Sequence, residues 1–246
     1  MQSKIKPDTK FFNTDIAVEK YSKSVLDVGL WESEKIIFEK YATINSKIID
    51  IGCGAGRTTF SLFRLGYNNI IGIDISEKLL EKALHYNQLL NTNIIFLNMD
   101  IVKTNFEDST FDIAFFSYNG LTGIPTERRR LSILKEIYRI LKFGGFFIFC
   151  AHDRDDDPNS KDFWLHEHRR WKEGKNNPIL YEYGDVLVNQ GASYEFLHYY
   201  NHDEMINFIH KTDFRIINSF KRRELATEPY NVQKFAKDTC FWVLQK

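Results

Sequence analysis

A short apolar run that ends in a loop with three glycines restricts the fold more than any other feature of the sequence. Residues 47–51 predict a buried strand, and they lead directly into Gly-Cys-Gly-Ala-Gly at 52–56. Residues 57–65 then predict a helix that ends at Gly66. Glycine permits sharp turns and lets the backbone approach a ligand closely. The order strand, glycine loop, helix is typical of a nucleotide-type binding site in a parallel α/β sheet.

The same alternation of strands and helices continues along the chain. Further strands are predicted from apolar, β-branched runs at 69–74, 93–97, 111–116 and 145–150. Helices are predicted from periodic apolar patterns at 76–90 and 126–141. After an irregular stretch, a helix and two strands that form a hairpin-like pair are predicted at 203–211, 214–220 and 239–244. This alternation predicts a parallel sheet with helices on both faces.

We interpret residues 1–246 as a single domain. Its parts are an N-terminal helical cap, a cofactor-binding core, an insert on the substrate side and the C-terminal part of the sheet: 1–44, 47–150, 151–202 and 203–246. The insert is rich in aromatic residues. They are expected either to close a pocket as a lid or to pack the insert onto the sheet.

Composition limits the partners of the protein. Lys plus Arg and Asp plus Glu both number 33, so no net charge attracts nucleic acid or an anionic membrane. The chain contains no apolar run of about 18 residues, and its polar first ten residues do not resemble a signal peptide, so we expect a cytoplasmic protein without a membrane span. Cys53, Cys150 and Cys240 lie far apart and are expected to be small buried residues.

Acidic residues at three predicted strand ends indicate the kind of ligand. The third glycine of the loop is residue 56, and Arg57 stands where a dinucleotide fingerprint needs glycine. Together with Asp50 before the loop, this favours a ligand that carries an amino acid group over a pyrophosphate. Asp74 follows Gly52 by 22 residues, close to the spacing that sets a carboxylate against ribose hydroxyls. Asp100, after the third strand, is placed to accept from an adenine amino group.

Five stretches make these indications specific: IIDIGCGAGRTT, IIGIDISEKLLEKA, LNMDI, FEDSTFDIAFFSYNGL and ILKEIYRILKFGGFFIF. In this order over residues 47–150, the chain resembles the class I S-adenosylmethionine-dependent methyltransferases of the small methyltransferase domain type. The resemblance implies a Rossmann-like, mostly parallel sheet of seven strands with helices on both faces and the last strand antiparallel. It also implies S-adenosylmethionine as cofactor and S-adenosylhomocysteine as product.

The resemblance further implies roles for individual residues. The loop glycines Gly52, Gly54 and Gly56 would pass under the methionine part of the cofactor, and Asp50 would hold its amino group, directly or through water. The remaining cofactor contacts would be Asp74 with Ile75 at the ribose, Asp100 and the Ile101 amide at the adenine, Ser117 beside the methionine, and Arg57 and Tyr21 at its carboxylate.

The expected reaction is direct in-line transfer of the methyl group to a nitrogen or oxygen of a small molecule. Alignment of the reactants supplies most of the rate, and a base is needed only if the nucleophile arrives protonated. His152, after the fifth strand, and His198 are the candidate bases, although a histidine at a strand end is usually a turn residue. Tyr118, Asn119 and Tyr199 are candidate substrate contacts.

Two alternatives remain open, and no metal site is expected. An RNA substrate would use Arg169, Arg170, Lys172 and Lys175 beside Trp164 and Trp171. A binding module would hold the cofactor without methyl transfer, and a substrate pocket lined beside Ser117 and His152 would count against it. The acidic tract at 152–157 does not match a calcium loop and is expected to be a solvated loop. The sequence leaves the oligomeric state open.

Overall fold

The computed structural model describes residues 9–191 and 193–246. The N-terminal part contains three helices: α1 (Thr9–Phe12), α2 (Asp15–Asp27) and α3 (Glu32–Tyr41). The continuous helical pattern of the sequence is interrupted at Gly29, whose φ of 66° lies in the left-handed region. Trp31, fully buried, is the N-cap residue that precedes α3. The cap predicted at 1–44 is therefore helical over its described part, and residues 1–8 lie outside the described residues.

Seven strands form one sheet: β1 (Ile48–Ile51), β2 (Ile70–Asp74), β3 (Ile95–Asn98), β4 (Phe111–Phe116), β5 (Leu141–Ala151), β8 (Arg215–Lys221) and β9 (Cys240–Gln245). Their order is β3-β2-β1-β4-β5-β9-β8. Strands β1 to β5 pair in parallel, whereas β9 runs antiparallel to both of its neighbours. The predicted seven-stranded sheet with an antiparallel last strand is confirmed, as is the pairing of the last two strands.

Helices cover both faces of this sheet and explain why its strands are continuous apolar runs. Those between the parallel strands are α4 (Arg57–Arg64), α5 (Glu77–Leu89) and α6 (Glu127–Ile140). Successive residues of β1 point to opposite faces, so Ile48 packs into the layer that contains Phe38 and Phe60. Ile49 packs into the opposite layer, with Ile133 of α6.

Between β5 and β8 the chain leaves the sheet, as the predicted insert requires. This segment contains α7 (Lys161–Lys172) and a separate antiparallel pair, β6 (Asp185–Asn189) and β7 (Tyr194–His198), before α8 (His202–Ile209) leads back to the sheet. The alternation of β7 is important for the site, because neighbouring side chains of a strand face opposite ways.

Two short helices that the sequence did not predict lie between β8 and β9: α9 (Arg222–Leu225) and α10 (Tyr230–Phe235). The second one ends with Phe235, which reaches the candidate site. In the part of the chain that the structure describes, no helix combines the length and the apolar character needed to cross a membrane.

Candidate active site

A cavity of about 1280 Å³, open mouth included, lies at the carboxyl ends of β1, β2 and β4. The strand order reverses between β1 and β4, which is where open parallel sheets bind ligands. The lining combines the glycine loop and the acidic strand ends with Leu197 and Glu195 of β7 and Phe235 of α10. One cavity therefore joins the sheet edge to segments outside the sheet.

The glycine loop gives the cavity a wall of bare backbone. Gly52, Gly54 and Gly56 all have positive φ angles, of 61°, 56° and 95°. A Cβ on Gly56 would lie 2.6 Å from the Phe60 ring, so this glycine closes the loop against α4. A Cβ on Gly54 would meet only Leu79, at 3.8 Å. The space beside Gly54 is thus left free for a ligand that contacts the backbone.

Asp74 lies at the end of β2 with its carboxylate fixed by backbone donors. The amides of Gly54 and Ser76 donate to its two oxygens at 2.8 and 2.7 Å. Burial raises the pKa of this carboxyl group above its ordinary value, which the two backbone hydrogen bonds oppose. Asp74 and Ile75 both line the cavity. Because each carboxylate oxygen has a second acceptor position, Asp74 retains the capacity to accept from ribose hydroxyls.

Asp100 and Ile101 continue the same edge after β3 and also line the cavity. The Asp100 carboxylate accepts from the Val102 amide at 2.9 Å and forms an ion pair with Arg129 at 2.8 Å. These contacts hold the acid in place and leave it partly exposed, as an adenine contact requires.

Asp50 is almost completely buried behind the loop and is not among the residues that line the cavity. The hydroxyl of Thr59 donates to Oδ2 at 2.6 Å, and that of Thr58 donates to the same oxygen. Oδ1 has no hydrogen-bond partner among the described residues. Burial raises the pKa of Asp50 to about 6. The role of Asp50 at the amino group of the cofactor stays a prediction.

Arg57 faces the cavity but is bound within the protein. Its two Nη atoms each donate to the Glu34 carboxylate at 2.7 Å, and they also donate to the Gly29 carbonyl and to Ser117 Oγ, at 2.7 and 2.8 Å. All four Nη hydrogens are therefore used, and only Nε–H is left for a cofactor carboxylate. Ser117, which also lines the cavity, donates to Glu34 at 2.5 Å. Sequence reasoning missed Glu34, because nothing near it in the chain marks it as the partner of Arg57.

Tyr118 and Asn119 follow Ser117 and line the cavity, and their contacts with a substrate stay predictions. Both have positive φ angles, 51° and 61°, which cost energy in residues other than glycine and often occur at functional sites. Asn119 Nδ2 lies 3.0 Å from His152 Nε2, and His152 Nδ1 lies 2.9 Å from the Asp238 carbonyl.

The partners of His152 fix its tautomer. A carbonyl only accepts, so Nδ1 carries the hydrogen and Nε2 accepts from the Asn119 amide. Burial lowers the pKa of His152 below its ordinary value, so the ring is neutral near pH 7. With both nitrogens engaged, His152 is placed to orient Asn119 rather than to receive a proton from substrate. The ring also stacks on Tyr199 at 5.3 Å, and both residues line a second cavity of about 980 Å³.

His198 faces away from the first cavity, although its neighbour Leu197 lines it. It is buried, and its Nδ1 lies 2.7 Å from Asp185. With Glu182, these side chains bring three potential metal-ligating atoms within 4.8 Å of one another. Arg130 already supplies a cation there, because its guanidinium lies 3.0 Å from Glu182. A catalytic role for His198 stays a prediction that the geometry does not support.

Tyr21, predicted to contact the cofactor carboxylate, lines the cavity together with two residues that sequence reasoning missed, Glu195 and Phe235. Burial raises the pKa of the Tyr21 hydroxyl well above its ordinary value, and the Glu195 carboxylate contributes. A phenol beside a carboxylate is poorly placed to hold a second carboxylate. The three predicted buried cysteines, Cys53, Cys150 and Cys240, are buried and free.

Comparisons with known proteins agree with this architecture. Residues 48–145 match the family described as methyltransferase domain. The chain is 28% identical over 118 residues to the eEF1A lysine and N-terminal methyltransferase of Mus musculus, across 46% of this chain and 17% of that protein. It is 30% identical over 131 residues to a sterol 24-C-methyltransferase of Kluyveromyces lactis, across 51% of this chain and 33% of that protein. The match thus spans a third or less of these curated relatives.

The fold is also similar to that of a SAM-dependent methyltransferase from Methanosarcina mazei, with a TM-score of 0.68 and 22% identity across 85% of this chain and 96% of that one. The sheet order, the glycine loop and the acidic strand ends are those of a Rossmann-like methyltransferase fold. The methyltransferase domain covers residues 48–145, and the comparisons indicate an enzyme that uses S-adenosylmethionine. The open backbone at Gly54 and the fixed acceptors of Asp74 fit this cofactor, whose product is S-adenosylhomocysteine.

Proposed function

We propose that this protein transfers the methyl group of S-adenosylmethionine to a nitrogen or oxygen of a small molecule bound in the same cavity. The main support for the proposal is that residues of the cofactor motifs and residues outside these motifs line one cavity. Gly54 and Asp74 border the cavity, and so do Asn119, Glu195 and Leu197, which the cofactor motifs do not include. A cavity with this composition has room and polar groups for an acceptor beside the cofactor.

In this proposal the sheet edge holds the cofactor. The backbone at Gly52 to Gly56 supports its methionine part, Asp74 accepts from the ribose hydroxyls, and Asp100 with the Ile101 amide contacts the adenine. When bound, S-adenosylmethionine supplies a methyl carbon made electrophilic by the positively charged sulfur. The chain contributes alignment and exclusion of water, which favour direct in-line attack.

Each alternative is weakened on one point. A pocket lined beside Ser117 and His152 would count against a module that only binds the cofactor, and the first cavity is lined beside Ser117, whereas His152 lines the second cavity. An RNA substrate would stack bases on accessible aromatic side chains, and Trp164 is buried, although Arg169 and Lys172 are exposed. The names of the relatives include a protein methyltransferase and a sterol methyltransferase, so a protein acceptor is the second candidate.

The first test is calorimetric titration with S-adenosylmethionine, with NAD as the control ligand. We expect micromolar binding of S-adenosylmethionine, no binding of NAD, and at least tenfold weaker binding by Asp74→Ala, because charge-assisted hydrogen bonds contribute about 1.5–3 kcal/mol each. Asp213→Ala, which removes an exposed acid between α8 and β8, is the matched control and should bind like the wild type. Equal affinity of Asp74→Ala and Asp213→Ala would refute the assigned cofactor site.

A further inference from the structure

Three aromatic rings at the cavity form a corner that binds a cation. Tyr118 and Phe235 stack with centroids 4.9 Å apart, and Tyr21 stands nearly perpendicular to them, at 77° and 85°. The ammonium of Lys20 lies 5.3, 5.5 and 5.7 Å from the centroids of Tyr21, Tyr118 and Phe235. These distances are within the range of cation–π attraction. We call Tyr21, Tyr118 and Phe235 the aromatic corner.

A carboxylate lies beside this corner without a cation in contact. Glu195 lines the cavity and is partly buried, and its hydrogen-bond partners are Gln190, at 2.9 Å, and Tyr21. No lysine or arginine of the described ranges 9–191 and 193–246 forms an ion pair with it, although the charge of Lys20 attracts it. A partly buried carboxylate is costly unless a cation offsets it. A ligand ammonium would take over this role from Lys20.

We propose that the methyl acceptor is an amine, bound as its cation between the aromatic corner and Glu195 in the place that the Lys20 ammonium now takes. An ammonium group satisfies both features, since it is a cation for the aromatic corner and a partner for the carboxylate. A neutral alcohol and an anion satisfy neither. This assignment rests on the proposed function, because it names the substrate class of the same cavity.

The chemistry balances without a further reactant. The ammonium releases one proton to water, and the freed lone pair of the nitrogen forms the N–CH3 bond. The S–CH3 bond breaks and leaves its electron pair on sulfur, which becomes the thioether of S-adenosylhomocysteine.

Calorimetry with matched probes tests the assignment on the full chain saturated with S-adenosylhomocysteine. Benzylamine, a cation at pH 7.5, is compared with benzyl alcohol, which has the same ring and a neutral head. We expect benzylamine to bind about tenfold more tightly, in line with cation–π and charge attraction. Glu195→Gln should reduce this preference to threefold or less, whereas Glu81→Gln, an exposed acid on α5, should retain it. Lys20→Met should strengthen benzylamine binding, because the competing ammonium is gone.

The outcomes separate the two proposals. Benzyl alcohol binding as tightly as benzylamine, no benzylamine binding, or an unchanged preference in Glu195→Gln each overturns the amine assignment. If S-adenosylhomocysteine still binds in those samples, the proposed function stands. If S-adenosylhomocysteine does not bind to the wild type, the proposed function fails, and the amine assignment fails with it.

Discussion

The buried ion pair between Glu34 and Arg57 should make Glu34→Gln strongly destabilising. Glu34 is fully buried and accepts four hydrogen bonds, two from Arg57, one from the Trp31 amide at 2.9 Å and one from Ser117. Glutamine keeps the shape but removes the charge, and its amide donors would face other donors. Arg57, 7% exposed, would keep its charge without compensation.

The expected cost is about 3–5 kcal/mol, the usual loss when one partner of a buried pair is removed. Since small domains are stable by only about 5–15 kcal/mol, the urea midpoint should fall by a large fraction at an unchanged slope. The control is Glu19→Gln, which breaks an exposed pair with Lys23 and should leave the midpoint unchanged. The double variant Glu34→Gln/Arg57→Met should be less destabilised than the sum of the single variants, because the stranded charge is gone.

A loss below about 1 kcal/mol in Glu34→Gln would refute this reasoning, since it would mean that Arg57 does not depend on Glu34. If the same variant instead altered only the affinity for S-adenosylmethionine, Arg57 would be a cofactor contact, as the sequence predicts. Measuring the urea midpoint and the cofactor affinity on one preparation therefore separates the structural role of Arg57 from its role as a carboxylate partner.

Three further outcomes follow from the site. Burial raises the pKa of Asp50 from 3.8 to about 6, so the folded protein holds this proton more tightly than the unfolded chain. Relative to Asp50→Asn, wild-type stability in urea titrations should therefore fall by about 3 kcal/mol as the pH rises from 3 to 7. Burial lowers the pKa of His152 below 6.5, so the unfolded chain binds this proton more readily than the folded protein does. The wild type should therefore lose stability as the pH falls below 6.5, and His152→Gln should reduce this loss. An unchanged pH profile of the variant would contradict this prediction. Gly56→Ala should cost at least about 2 kcal/mol in the same assay, because its Cβ would lie 2.6 Å from Phe60; a wild-type midpoint would disprove the steric argument.

Local patterns made the centre of the fold predictable. The run from β1 through the glycine loop to α4 is contiguous, and Asp74 follows at the end of the next strand, so spacing alone places these residues together. The helical cap predicted at 1–44 was less informative, because its pattern does not show that Gly29 adopts a left-handed conformation and separates α2 from α3. Helices α9 and α10 are only four and six residues long, too short for a helical period to be recognised.

Partners that are distant in sequence were not predictable. Glu34 and Arg57 belong to different helices, and each has an ordinary local sequence. The histidines illustrate the same limit. The position of His152 after a strand suggested a general base. Its tautomer, however, is fixed by hydrogen bonds with the Asp238 carbonyl and the Asn119 amide, which lie on other segments of the chain. The period of β7 then turns His198 to the face opposite Leu197.

The extent of the family match explains why the relatives do not determine the acceptor. The match ends at residue 145, before β7 and α10, which supply Glu195 and Phe235 to the cavity. Tyr21, on α2, precedes the match. Among the three residues of the aromatic corner, only Tyr118 lies inside the matched range, on the loop that also carries Ser117. The family match therefore covers the predicted cofactor side of the cavity, whereas three separate segments outside it form the proposed acceptor side. Because these segments do not form the glycine loop, relatives can differ in substrate while keeping one cofactor site. The methyl acceptor of this protein therefore has to be inferred from the charge and shape that these segments give to the cavity.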